Sequence, residues 1–196
     1  MITTLILVSA AFAAIALDGK VSPLRRWMDR VRGRFMVSPP APVIVRDSGW
    51  QFVRCDDVDS FQEWLMRDEH GFPLKEGEIP SLGSHLLIEL IGCDSKSLET
   101  EDSVATTMMD AARNSEATIV ANSFHEFKPW GVSGAVIIQE SHYTIHTWPE
   151  HRYAAVDLFY CGGTILVHEA VETLRERFKP ERMKFLVVRR GLESEV

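Results

Sequence analysis

From residue 85 onward the apolar residues fall into short runs with recognisable periods. Residues 85–92, HLLIELIG, are almost continuously apolar and of strand length, which predicts a buried strand. Over 98–114, Val104, Met108, Ala111 and Ala112 recur at helical spacing and predict an amphipathic helix. Residues 117–124 and 134–140 are apolar and rich in β-formers. Over 142–148 the period drops to two. His142, Thr144, His146 and Trp148 share one face, and Tyr143, Ile145 and Thr147 the other. Residues 153–161 alternate likewise, with Tyr153, Ala155, Asp157, Phe159 and Cys161 on one side. Val167, Ala170, Val171, Leu174 and Phe178 align on a helix over 164–178, and 183–188 read as a final strand. The order strand, helix, four strands, helix, strand predicts an α+β fold: an α/β sandwich whose largely antiparallel sheet is covered by helices on one face.

The first 80 residues are less regular. Residues 58–69 predict a short helix carrying Phe61, Leu65 and Met66. Residues 37–44, VSPPAPVI, read as a stiff extended linker, because proline blocks helix and holds the chain open. Gly71, Pro73, Gly77, Pro80 and Gly83 then interrupt regular structure. Residues 35–80 are expected to be a linker or extension with no assignable chemistry. Residues 2–17 carry no charge, a run a little short of the ~20 needed to span a bilayer comfortably. Basic residues follow it, which favours a cytoplasmic body. The expectation is a membrane anchor with a basic flank over 1–34, a weak signal peptide or an upstream start codon being the alternatives. A catalytic domain is expected over 81–196.

Charge sharpens this division. Six basic side chains against two acidic ones give residues 1–34 a charge of +4, so the total of −7 leaves −11 on the rest. An acidic body excludes a nucleic-acid binder, which needs a basic surface. The three cysteines, Cys55, Cys93 and Cys161, form no CxxC pair. Neither a disulfide framework nor a metal site is expected, and a reducing compartment fits.

Candidate chemistry concentrates in residues 131–162, GVSGAVIIQESHYTIHTWPEHRYAAVDLFYCG, with serine, histidine, acid and cysteine close in sequence. Spacing alone is a weak signal. Strand geometry sets Ser141 and His146 on opposite faces unless a turn intervenes. Ser141 lies in no GxSxG elbow, and no phosphate loop, GxGxxG or HxE pattern occurs in the stretch.

The same stretch closely resembles the processing and active-site segment of the bacterial S-adenosylmethionine decarboxylases, a pyruvoyl-dependent family. Glu-Ser-His stands at 140–142, Thr-Ile-His-Thr-Trp-Pro-Glu at 144–150, Tyr-Ala-Ala-Val-Asp at 153–157 and Cys-Gly at 161–162. Residues 83–94 and 118–134 also look like the family, so the likeness covers roughly 81–190. It implies self-cleavage between Glu140 and Ser141. The Ser141 hydroxyl attacks the Glu140 carbonyl, and elimination and hydrolysis leave a pyruvoyl group at the new N-terminus. That group, the implied cofactor, supplies an electrophile that condenses with an amine and accepts electrons, as pyridoxal phosphate does elsewhere.

Residue by residue, the resemblance implies that His146 and Ser133 assist processing and that Cys161 donates the proton after carbon dioxide leaves. It implies that Glu150 binds the ribose hydroxyls and Phe127 stacks on adenine. On the residues alone His146 is a hydrogen-bonded strand histidine, Ser133 a turn serine, Cys161 a buried cysteine, Glu150 a solvated acid and Phe127 a core residue. His85 and Glu89 receive no role. The implied substrate is S-adenosylmethionine, for spermidine synthesis, and the implied assembly is a homodimer of cleaved protomers. A decarboxylase of arginine or ornithine and a non-processing regulatory paralogue are the alternatives. Two positions depart from the family pattern. Arg152 stands where glycine is frequent, which puts the loop beside Glu150 in question. Ser84 stands where arginine is frequent.

Overall fold

A computed structural model describes residues 43–47, 50–68, 81–161 and 165–192. Among them are eight strands: β1 (Val43–Asp47), β2 (Trp50–Cys55), β3 (Ser81–Ile91), β4 (Ile119–Glu126), β5 (Val132–Ile138), β6 (Ser141–Trp148), β7 (Tyr153–Cys161) and β8 (Arg182–Leu192). There are three α-helices: α1 (Val58–Asp68), α2 (Glu101–Asn114) and α3 (Val167–Phe178). The strands form one sheet in the order β1-β2-β8-β3-β7-β6-β5-β4, and every neighbouring pair is antiparallel.

The helices form where the apolar stripes predict. Val104, Met108, Ala111 and Ala112 on α2 and Ala170, Val171, Leu174 and Phe178 on α3 are buried. They meet alternate strand residues: Leu86, Ile88 and Leu90 on β3, Tyr143 and Ile145 on β6, Val156 and Leu158 on β7. Thr100 caps α2, its hydroxyl accepting from the Ser103 N–H, and satisfies one otherwise unpaired donor. The opposite strand positions make a second face on which no helix packs among the described residues. Cross-strand register gathers His85, Asp157, Phe159, His142, Thr144, His146 and Ser133 on it.

Residues 43–55 differ from the expectation of a linker. They form a hairpin whose second strand pairs with β8 over Gln51–Arg189 to Cys55–Phe185. In sequence, two β-rich runs, Val-Ile-Val and Trp-Gln-Phe-Val, separated by Asp-Ser-Gly carry a hairpin signal, masked by the prolines just upstream. α1 then lays Phe61 flat on Phe185 of β8, with ring centroids 4.3 Å apart. The expected anchor over residues 2–17 lies outside the described residues. Among the described residues no helix is long and apolar enough to cross a membrane.

Candidate active site

β5 and β6 are joined by a two-residue turn, Gln139–Glu140, with Ile138 opposite Ser141. Such turns favour glycine or asparagine, whose backbones accept positive φ. Neither stands here, and the positive torsion falls on the next residue: Ser141 has φ +149°. A side chain rarely tolerates that value, which costs about 1–3 kcal/mol unless the surroundings impose it. They do impose it. Thr118 accepts from the Gln139 N–H at 2.8 Å, and its own N–H donates to the Glu140 carboxylate at 3.1 Å. On the other side the Cys161 N–H donates to the Glu140 carbonyl oxygen at 3.0 Å. The bond between residues 140 and 141 is therefore gripped from β4's approach and from β7. Its carbonyl is already polarised by a backbone donor, the arrangement that stabilises a developing oxyanion.

Ser141 Oγ lies 3.3 Å from Nδ1 of His142. The His142 ring is edge-on to Phe159, 5.6 Å away, and to His85, 6.4 Å away. Burial first, then the nearby His85 and Arg190 charges, hold its pKa below the usual histidine value, with Asp157 opposing. His85 Nε2 is 3.5 Å from Asp157, which also accepts from Thr144 at 3.3 Å. The His85 imidazole leads in holding the Asp157 carboxyl below its usual range, against its burial.

Beside Cys161, Gly83 leaves the space a side chain would fill. A Cβ there would lie 3.1 Å from the Cys161 sulfur and 3.0 Å from the Tyr160 carbonyl. Cys161 is exposed, unlike the buried Cys55 and Cys93, whose thiols burial pushes up to about 12 and about 11.

The remaining expected residues gather elsewhere. No turn breaks β6 between Ser141 and His146, so their side chains project from opposite faces. Five residues at ~3.3 Å each separate them by about 16 Å. His146 Nδ1 instead meets Ser133 Oγ at 2.7 Å, because the two residues are register partners on β5 and β6. Ser133 is thus a strand residue rather than a turn residue. Phe127 is half exposed rather than in the core, in the turn after β4, and stacks edge-on against His125 at 4.6 Å. Glu150 is exposed in the short turn after β6. Phe127 and Glu150 therefore lie at the far end of β6, more than about 20 Å from Ser141 by strand rise. One chain thus holds two half-sites: Glu140, Ser141, His142 and Cys161 at one end, and Ser133, His146, Phe127 and Glu150 toward the other.

Both family departures are accommodated. Arg152 takes the left-handed conformation at φ 52° and ψ 40°, a cost offset by its own contacts. Its guanidinium donates to the carbonyls of Cys93 and Gly92 at 2.9 Å and to Glu181 at 3.0 Å. At Ser84 a guanidinium arrives from another strand: Arg189 of β8 donates to its hydroxyl at 2.7 Å.

The partnership of Ser141 with His142 and the grip of Thr118 and Gly83 were not legible in spacing. Each depends on register or on a turn, and His142 reads as an ordinary strand residue until its neighbour's torsion is known.

The chain and its fold are similar to known proteins. The family model described as S-adenosylmethionine decarboxylase matches residues 84–191. An S-adenosylmethionine decarboxylase proenzyme of Thermodesulfovibrio yellowstonii is 46% identical over 114 residues, 58% of this chain and 84% of that one. One from Fervidobacterium nodosum is 47% identical over 116 residues, 59% of this chain and 85% of that one. The crystal structure of the adenosylmethionine decarboxylase from Aquifex aeolicus superposes with a TM-score of 0.53 at 30% identity, covering 57% of this chain and 92% of that one. The fold and the matches define a decarboxylase. More particularly, the chain belongs to the S-adenosylmethionine decarboxylase family.

Proposed function

We propose that the chain cuts itself between Glu140 and Ser141, converts Ser141 into a pyruvoyl group, and with it decarboxylates S-adenosylmethionine for spermidine synthesis. The observation that carries this is the strained Ser141, φ +149°, with the Glu140 carbonyl held by the Cys161 N–H. These residues fit the group, since the hydroxyl, the carbonyl it must attack and a donor for the resulting oxyanion converge there. When formed, the pyruvoyl group supplies a carbonyl that captures the substrate amine and withdraws electrons. Cys161 holds the proton returned to the substrate carbon, in the space that Gly83 leaves open. Glu150 takes the two ribose hydroxyls as a bidentate acceptor, and Phe127 offers the adenine its exposed face.

Neither half-site suffices by itself, which supports a homodimer. A second copy that brings its Ser133–His146 pair, Phe127 and Glu150 to the first copy's Ser141 completes the site. His146 then acts as the acid or base of processing. The uncharged run 2–17 and its basic flank support a membrane tether with the catalytic part on the cytoplasmic side.

Activity tests the substrate. Purified protein should release carbon dioxide from S-adenosylmethionine and not from arginine or ornithine. Release from either amino acid, with S-adenosylmethionine inert, would overturn the assignment.

A further inference from the structure

Self-cleavage begins with a proton transfer, for which His146 of the same chain is badly placed. As the Oγ–C bond to Glu140 forms and the C–N bond to Ser141 breaks, the hydroxyl must lose a proton and the departing nitrogen must gain one. His146 is about 16 Å along the strand and engaged with Ser133. We propose that His142 is the catalytic base of this acyl shift, accepting the Ser141 hydroxyl proton on Nδ1 and returning it to the Ser141 nitrogen. The inference rests on the self-cleavage proposed above. No atom or electron is left over: one C–O bond replaces one C–N bond, and one proton moves from oxygen to nitrogen.

Three observations carry it. Nδ1 of His142 is 3.3 Å from Oγ, within reach of a transfer that tightens as the bond forms. The ring is held by aromatic edges from two other strands, Phe159 of β7 and His85 of β3, so its aim does not rely on Ser141 alone. Its charged and titratable neighbours are His85, Asp157 and Arg190. Arg190 lies over the Phe159 ring at 5.0 Å, presenting a fixed cation to this corner of the sheet. Burial and two of these neighbours favour the neutral imidazole that a base requires. Asp157 has its own partners in His85 and Thr144. His146 of a second copy remains available for the later removal of the Ser141 α-hydrogen, so the two histidines divide two proton transfers.

The test is the rate of cutting in the full chain, followed on denaturing gels during cell-free synthesis, for wild type, His142→Ala and His142→Asn. Asparagine keeps a polar atom near the Nδ1 position but cannot take a proton. Both variants should cut at least about a hundredfold more slowly than wild type. The wild-type rate should fall in acid as the imidazole protonates, and residual cutting in the variants should lack that fall. If His142→Asn cuts within threefold of wild type, the histidine only positions the serine and the inference is overturned. Should the variants fail to fold, the wild-type profile decides, and a rate flat from roughly pH 5 to 8 refutes a histidine base. A wild-type chain that never cuts defeats the self-cleavage reading itself. A wild type that cuts, with variants that keep pace, defeats this inference alone.

Discussion

At the scale of single residues, the account turns on a backbone torsion that opposes its side chain. If strain at Ser141 is real, removing the Cβ should release it. Both Ser141→Gly and Ser141→Ala should remain uncut, but glycine should be the more stable by about 1 kcal/mol, read as a higher melting temperature. Equal stabilities would mean that φ +149° costs nothing. Cys161 separates processing from turnover, because its backbone N–H grips the Glu140 carbonyl whatever the side chain is. Cys161→Ala should therefore still cut, while decarboxylating about a hundredfold or more slowly. Unchanged turnover would leave the thiol with no part in the chemistry.

At the scale of elements, most of the sheet was legible because each strand carries a clean period. The alternation in 142–148 and 153–161 assigns every side chain of β6 and β7 to the face the structure gives it. The β1–β2 hairpin was missed because prolines at 39, 40 and 42 dominate the window, although its strands are rich in β-formers. The site was legible only through family resemblance. Spacing placed Ser141 and His146 on opposite faces, and so they are, but nothing local announced the strained turn between β5 and β6. Close approach also limits substitution. A Cβ at Gly134 would sit 1.9 Å from the Phe124 ring on the paired strand, so Gly134→Ala should push β4 away and destabilise by about 1–3 kcal/mol. A thermal melt within experimental error of wild type would show that β4 shifts freely. The turn after β6 makes the opposite point, since Arg152 holds a left-handed torsion by hydrogen-bonding two carbonyls.

At the scale of the whole molecule, the two groups of residues lie at two ends of one sheet, and the proposed homodimer would unite them from two chains. This predicts complementation. A His146→Ala chain and a Ser141→Ala chain should each remain whole when made alone. Made together, the mixed dimer unites an intact Ser141 from the first with an intact His146 from the second, and the His146→Ala chain should be cut. If no cutting appears although mixed dimers form, the two-chain site is wrong. Strands β1 and β2 and the helix α1 lie outside the region matched by the family model; β2 continues the sheet from β8, and Arg189 over the Trp64 ring at 5.6 Å ties α1 to β8.

The most direct test is the intact mass of the purified protein. Self-cleavage predicts two polypeptides, 1–140 and 141–196, the second lighter by one ammonia than a fragment beginning with serine. A single polypeptide of 196 residues with Ser141 unaltered would contradict the account.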